Sequence, residues 1–220
     1  APSISESMGV LYRTNAQSRA IEQALIEAEI PYQIFGGIKF YERREVKDVL
    51  AALRLVLNPA DLISRERLEK ALRKPVFREL TSVLGTAKNL LPVELIDTFI
   101  KTTGYLEYID SNLTNPEERK ENIGELRTFA HGFPGLEDFL EKVSLLQATD
   151  SLQNNELGIR NYEPKVSLMT IHLAKGLEFD RVFLAGFNEG LLPHHRSWDN
   201  PVELEEERRL AYVAMTRARK

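Results

Sequence analysis

The positions of the strand-like segments along this 220-residue chain limit the folds that it can adopt. Near the start, residues 9–13 (GVLYR) and 32–35 (YQIF) read as short buried strands, and apolar residues recur at helical spacing between them. Two further strand-like segments, residues 166–171 (VSLMTI) and 181–187 (RVFLAGF), appear only in the last quarter of the chain. A strand, a helix and a strand in succession form the unit of a parallel sheet. We therefore predict an α/β fold whose sheet draws on both ends of the chain.

The long segment between these strands carries helical patterns. Apolar residues form a stripe from Val46 to Leu57, which Asn58-Pro59 ends. Similar stripes follow at Leu95, Ile96, Phe99 and Ile100, at Ile123, Leu126 and Ala130, and at Leu136, Phe139, Leu140 and Val143. We predict a parallel-sheet domain of residues 1–36 and 164–220, split by an all-helical insertion of residues 37–163. The predicted connections are Gly36-Gly37 and the polar residues 151–165.

The composition excludes several classes of protein. Lys and Arg number 29 against 33 Asp and Glu, so the net charge of −4 is not that of a protein that coats nucleic acid by bulk charge. Any contact with nucleic acid must be local. No apolar stretch approaches the roughly 20 residues that span a bilayer, and the absence of cysteine excludes disulfides and thiolate metal sites. We expect a cytoplasmic protein without membrane contact.

Polar side chains gather where the segment of residues 166–171 ends. Thr170, His172, Lys175 and Glu178 lie within nine residues of one another. Ligands bind at the carboxyl ends of strands in open α/β sheets. For His172 a structural alternative is open, that of a hydrogen-bonded histidine on an apolar background. The spacing of metal ligands is missing, so we predict no metal site.

The turn after the first strand, YRTNAQSR, carries a second polar cluster. Thr14 or Asn15 can cap the helix that follows. Capping does not explain Arg13 and Arg19, because the helix macrodipole disfavours a cation at a helix N-terminus unless an anion is present. A phosphate would supply that anion.

A third polar cluster, EEERRLAYVAMTRAR, lies on a helix at the end of the chain. Arg217 extends an apolar face of this helix and therefore either snorkels or has an anionic partner. Arg209 and Tyr212 are better explained by packing and by ion pairs with Glu205 or Glu206. The residues that share the face of Arg217 are Leu210, Val213 and Ala214.

These three clusters resemble the C-terminal motor half of superfamily 1 DNA helicases of the UvrD/PcrA/Rep type. The segment GGIKFYERREVKD, residues 36–48, is similar to the entry of the family's insertion domain. The resemblance implies a RecA-like domain of the P-loop NTPase class, without its own P-loop, split by a helical insertion. The helical segment of this chain is shorter than the insertion of that family.

The resemblance also implies roles for individual residues. Arg217 matches the arginine finger that reaches the γ-phosphate of ATP on the first motor domain, where it stabilises charge during hydrolysis. Glu178 matches a residue that reaches the nucleotide sugar, and Gly176 is implied in the same ATP site. Contacts with single-stranded DNA are implied for Arg13, Asn15, Thr170, His172 and Lys175.

The sequence contains no GxxxxGK[ST] phosphate loop and no recognisable strand end with the acidic residue that holds Mg²⁺. The expected cofactors of the full-length protein are ATP and Mg²⁺, with the Mg²⁺ ligands outside this chain. The expected partners are single-stranded DNA and an N-terminal RecA-like motor domain.

The function implied by the resemblance is that of the C-terminal motor half of a 3′-to-5′ ATP-dependent DNA helicase in repair or replication. Two alternatives stay open. One is the helicase half of a recombination helicase-nuclease, and the other is a non-catalytic module that binds DNA or protein.

Overall fold

The computed structural model describes residues 6–155 and 166–219, with the backbone alone for residues 149–155. By packing, the chain divides into two compact units: a sheet unit, Ala1–Lys39 with Ala148–Lys220, and a helical unit, Phe40–Gln147. A division by packing does not decide which residues belong to an insertion. The domain boundaries after residues 36 and 163 therefore stay a prediction.

Among the described residues, the strands lie in the first and last parts of the chain, and a succession of helices lies between residues 44 and 155. In chain order the elements are β1 (Met8–Tyr12), α1 (Ser18–Glu27), β2 (Tyr32–Ile34), α2 (Arg44–Leu57), α3 (Leu62–Ala71), α4 (Lys74–Thr86), α5 (Pro92–Thr103), α6 (Tyr105–Asn112), α7 (Pro116–Ala130), α8 (Leu136–Asn155), β3 (Val166–Thr170), β4 (Arg181–Leu184) and α9 (Pro201–Met215).

The sheet of the described residues has the strand order β2-β3-β1-β4, and every pair of neighbours is parallel. β3 is buried at all five positions because it lies between β2 and β1, which explains its continuous apolar sequence. Tyr12 at the end of β1 pairs with Thr170 at the end of β3. The carboxyl ends of the strands therefore meet at one edge of the sheet, called the carboxyl edge below. The predicted α/β fold with a parallel sheet is confirmed.

One face of the sheet packs against α9. Leu11 of β1 and Met169 of β3 are fully buried there, together with apolar residues of α9. Val182 and Leu184 of β4 extend this core at its margin. The α9 residues in the core are Leu210, Ala211 and Ala214.

Two predicted segments differ from the structure. The strand predicted for residues 181–187 ends at Leu184, because the chain turns at Gly186, where φ is +69°. The polar residues 151–155, predicted as part of a connection, are helical and complete α8, since they contain neither glycine nor proline to end it. The rest of that predicted connection, residues 156–165, lies outside the described residues.

The helical unit packs around α2, which buries ten of its 14 residues. The stripe predicted there is confirmed except at its last residue, Leu57, which is 44% exposed. The stripes of α5, α7 and α8 are also buried, apart from the half-buried Ile100. Two polar contacts lie within this core: Tyr105 Oη donates to Asp48 Oδ2 over 2.5 Å, and Arg43 Nη1 donates to Asn122 Oδ1 over 2.7 Å. No helix of the described residues is long and apolar enough to cross a membrane.

Candidate functional site

The carboxyl edge of the sheet brings together the residues after β1 and β3. Arg13 follows Tyr12, and the backbone N–H of Ile171 donates to the carbonyl of Tyr12 over 2.9 Å, so the two chains leave the sheet side by side. Thr170 is 9% exposed at this edge, whereas His172 is exposed. Asn15 lies in the short 3₁₀ helix after β1, close to the turn after β2. The structure thus places Arg13, Asn15, Thr170 and His172 at one edge.

Gln17, which the sequence did not single out, holds the turn after β1. Its Oε1 accepts hydrogen bonds from the backbone N–H groups of Arg13 (2.9 Å) and Thr14 (3.0 Å). A Cβ atom at Gly186, after β4, would lie 2.2 Å from Gln17 Nε2. The left-handed φ of Gly186 and this close approach together require glycine there. The loops after β1 and β4 are therefore in direct contact.

Arg13 forms an ion pair with Glu207 of α9. Arg13 Nε lies 2.9 Å from Glu207 Oε1 and 3.1 Å from Oε2, and Arg13 Nη2 lies 2.8 Å from Oε1. The backbone N–H of His194 donates to Glu207 Oε2 over 3.1 Å. Glu207 is 4% exposed and Arg13 24% exposed. Arg13, which the resemblance assigned to DNA, thus has an anionic partner within the protein.

Glu207 was missed because its sequence neighbours Glu205 and Glu206 are typical of a solvated helix face. A signal was present, however. Glu207 stands three, four and seven residues before Leu210, Ala211 and Ala214, which is the spacing of one helical face. The buried carboxylate therefore belongs to the apolar side of α9.

Two titratable groups at the carboxyl edge have shifted pKa values. Burial alone would raise the pKa of Glu207, but the bonds from Arg13 and from the N–H of His194 hold it below its usual value. Although His172 is exposed, the protein groups around its ring exclude part of its water and so lower its pKa, and the positive charge of Arg13 lowers it further. Both shifts favour a charged carboxylate and a neutral imidazole at neutral pH.

The second polar group of the site lies where the β3–β4 connection meets the end of α9. Phe179 N–H donates to the carbonyl of Arg217 over 2.9 Å, and Arg219 N–H donates to the carbonyl of Phe179 over 2.8 Å. This backbone pairing brings Gly176, Glu178 and Arg217 into one neighbourhood. Glu178 is exposed and pairs with the exposed Arg219 over 3.3 Å, a contact of the kind that contributes little to stability.

Arg217 lies beyond α9, which ends at Met215, so the prediction that it continues a helical face is wrong. Its guanidinium donates to the carbonyls of Val213 (3.0 Å) and Leu177 (3.2 Å) and to Thr216 Oγ1 (3.1 Å). These acceptors are neutral, and Arg217 forms no ion pair within residues 6–155 and 166–219. The guanidinium is thus held in place while its charge stays uncompensated, which suits an anionic ligand such as a phosphate.

Other charged and aromatic residues of the site have simpler roles. Arg209 forms the predicted ion pairs with Glu206 (3.3 Å) and Glu205 (3.9 Å). Tyr212, predicted to pack, is instead 66% exposed, so that prediction is wrong. Lys175 is exposed in the turn between His172 and Gly176 and forms no ion pair among the described residues. In the described part of the chain, no group of three or more acidic or histidine side chains could hold a metal ion.

Comparison with known proteins gives a family match over nearly the whole chain. The matching family model is described as "UvrD-like helicase C-terminal domain" and covers residues 4–124 and 106–220. Similar proteins include ATP-dependent DNA helicase UvrD1 of Mycobacterium tuberculosis strain H37Rv, which is 35% identical over 96% of this chain and 35% of its own length. DNA helicase II of Haemophilus influenzae is 37% identical over 98% of this chain and 36% of its own length. ATP-dependent DNA helicase PcrA of Bacillus subtilis is 35% identical over 96% of this chain and 35% of its own length.

Two facts about length follow from these matches. The chain spans about a third of the length of the curated relatives it matches. The alignment with the mycobacterial relative extends over 278 positions, more than the 220 residues of this chain, so the relative contains residues in the aligned region that this chain lacks.

Proposed function

The chain belongs to the UvrD-like helicase C-terminal domain family, and from this premise we propose that it is the C-terminal motor half of an ATP-dependent DNA helicase. It completes an ATP site whose phosphate loop and Mg²⁺ ligands belong to an N-terminal motor domain of the same protein. The observation that carries the proposal is Arg217, a guanidinium fixed by neutral acceptors with its charge uncompensated. This is the state that an arginine finger needs before it meets a γ-phosphate.

Glu178 and Gly176 complete this half of the ATP site. The carboxylate of Glu178 is exposed, and its partner Arg219 is exposed as well, so a nucleotide hydroxyl can replace that partner at small cost. A carboxylate accepts a hydrogen bond from a ribose hydroxyl, as acidic residues do in dinucleotide-binding folds. Gly176 has a φ of +91° and open space where a side chain would stand, so the backbone there is accessible to a ligand.

The carboxyl edge of the sheet forms the DNA-binding part of the proposal. Arg13, Asn15, Thr170, His172 and Lys175 line a track for one DNA strand, with movement in the 3′-to-5′ direction and a role in DNA repair or replication. The family supplies the ligand, the direction and the role. The parallel sheet supports the track, since it places the ends of β1 and β3 side by side.

The ATP part is tested with Arg217→Ala in the full-length protein. We expect DNA-stimulated ATP turnover to fall by roughly 10³-fold or more, which is the scale of arginine-finger losses, with single-strand affinity unchanged. Arg208→Ala is the matched control, because Arg208 is 79% exposed on α9 and pairs with Glu205. Turnover within a few-fold of wild type in the Arg217 variant would leave that residue with a structural role only.

A second measurement separates the helicase from the non-catalytic alternative. The isolated chain is expected to show no ATPase, and addition of the N-terminal motor domain in the full-length protein should produce it. A full-length protein without DNA-stimulated ATPase would favour a binding module. A recombination helicase-nuclease would show the same ATPase together with nuclease activity.

A further inference from the structure

Glu207 is a buried carboxylate at the site, and the family resemblance implied no role for it. Burial of a charge is costly unless the charge is paired and hydrogen-bonded. Glu207 meets this cost with bonds from Arg13 Nε and Nη2 and from the N–H of His194. Its neighbours Glu205 and Glu206 are 42% and 61% exposed and pair with arginines of their own helix. Of these three, only Glu207 pairs with Arg13 in the turn after β1.

The geometry divides the guanidinium of Arg13 into two edges. Nε and Nη2 face the buried carboxylate of Glu207. Nη1 has no hydrogen-bond partner within the described residues. It is not buried either, so it is in contact with solvent. A guanidinium is planar and its donors are fixed relative to one another. When one edge is held by Glu207, the direction of the other is therefore set as well.

We propose that Glu207 is a positioning residue, which holds the Nε and Nη2 edge of Arg13 so that Nη1 is presented at the carboxyl edge to a backbone phosphate of single-stranded DNA. This inference rests on the proposed function. An arginine held in this way loses less side-chain freedom when it binds, because the conformational cost is met in the free protein. The ligand contacts Arg13, and Glu207 acts through it.

Two other roles of Glu207 are possible, and each predicts a different effect on DNA binding from that of positioning. If the carboxylate merely occupies Arg13 in place of a phosphate, its removal frees a cation and strengthens DNA binding. If the pair only stabilises the fold, its removal lowers stability without changing affinity in the folded protein. Positioning alone predicts weaker binding by a protein that remains folded.

The experiment measures binding of a fluorescent oligothymidylate by the full-length protein over a range of salt concentrations. Glu207→Ala should weaken binding about tenfold, the scale of one charge-assisted hydrogen bond, and Arg13→Ala should do the same. Each variant should lower the salt slope by about 0.7, the value for one phosphate of a single strand, which a general loss of stability would not do. The double variant should bind no more weakly than Arg13→Ala, because both changes remove the same contact.

Glu207→Gln keeps the side-chain shape and one acceptor oxygen. It replaces the alanine variant in this experiment if that variant does not fold. It should bind less tightly than wild type and more tightly than Arg13→Ala. Glu205→Ala, which removes an exposed acid one turn or less away, should bind like wild type. Tighter binding by either Glu207 variant, or unchanged affinity and slope in both, would overturn the positioning role.

Lys175→Ala distinguishes a failure of this inference from a failure of the proposed function. Lys175 is exposed in the turn after β3, and the hydrogen bonds of Glu207 among the described residues come from Arg13 and His194 and not from Lys175. If Lys175→Ala and Arg13→Ala weaken binding while the Glu207 variants do not, the track stands and the positioning role is wrong. If neither Lys175→Ala nor Arg13→Ala has an effect, the track itself is wrong. Arg181→Ala, at the opposite edge of the sheet, is the control for loss of a cation.

Discussion

Arg13 and Glu207 show how burial changes the meaning of a charged residue. In the sequence, Arg13 is a cation near a helix N-terminus and Glu207 is the third acid of a charged run. In the structure, the two side chains form several hydrogen bonds between the turn after β1 and α9, and the carboxylate is almost fully buried. The pair therefore contributes to the stability of the sheet unit as well as to the proposed DNA track.

The stability of this pair depends on pH in a way that can be measured. Arg13→Ala leaves a buried carboxylate with the N–H of His194 as its remaining donor, so we expect a loss of about 1–3 kcal/mol in the free energy of unfolding at pH 7. The pKa of Glu207 is lowered in the folded protein from its usual value of 4.5. The stabilisation is therefore fully present above pH 4.5 and is lost as the pH falls through the lowered pKa.

Urea unfolding of wild type and Arg13→Ala at several pH values between 7 and 3 measures this difference. The gap between the two proteins should be widest at neutral pH and should narrow on acidification. Arg181→Ala, which breaks the pair of the exposed Arg181 with the half-buried Glu6, should change stability less. An equal gap at all pH values would show that the charge of Glu207 does not stabilise the pair.

At the scale of elements, α9 connects the two parts of the site. It begins after Asn200, carries Glu207 on its buried face and ends at Met215, just before Arg217. Asn200 Oδ1 accepts from the N–H groups of Val202 (3.0 Å) and Glu203 (3.4 Å), which would otherwise lack a partner within the helix. The cap therefore determines where α9 begins.

Replacement of this cap is expected to weaken the sheet unit. Asn200→Ala should lower the free energy of unfolding by about 1 kcal/mol, the usual cost of losing an N-cap, and Asn200→Ser should restore most of it. Thermal unfolding followed by circular dichroism measures the change. Asn112→Ala is the control. Asn112 is the last residue of α6, and its side-chain amide donates to the carbonyl of Tyr108 and does not cap a helix N-terminus. A serine variant no more stable than the alanine variant would exclude capping as the cause.

At the scale of the whole molecule, each unit has a core of its own. The helical unit is one continuous segment whose buried residues include Phe99, Tyr105 and Phe139. The sheet unit is built from two segments, and β1 finds both of its neighbours, β3 and β4, in the later one. The helical unit can therefore form from one segment of the chain, whereas the sheet unit needs both of its segments.

This difference predicts the behaviour of fragments. Residues 40–147 expressed alone should fold and unfold cooperatively, with a stability in the usual range of roughly 5–15 kcal/mol for a domain. Residues 1–39 alone should remain unfolded, because both sheet neighbours of β1 are missing. Circular dichroism with urea titration tests both fragments. A non-cooperative transition of residues 40–147 would mean that the helical core needs the sheet unit.

The fold class, the division into strand-bearing ends and a helical middle, and the family could be determined from the sequence alone. Hydrophobic period is a local property, so the strands and most helical stripes could be read from spacing. Local chemistry also indicated which segments carry the polar clusters. The end of α8 was misjudged, because a polar composition resembles a connection even where no residue breaks the helix.

The tertiary structure decided which of these residues meet. Arg13 and Glu207 are far apart in the chain, and their pairing follows from the packing of α9 on the sheet, which no local pattern specifies. The contact of Gln17 with Gly186 and the hydrogen bond from Arg217 to the carbonyl of Leu177 likewise join segments that are far apart in the chain. Spacing records which side of a helix or strand a residue occupies, whereas the partner on that side depends on how the elements pack. The sequence by itself therefore determined the elements and the candidate residues, and only the packing of the elements against one another decided their partners.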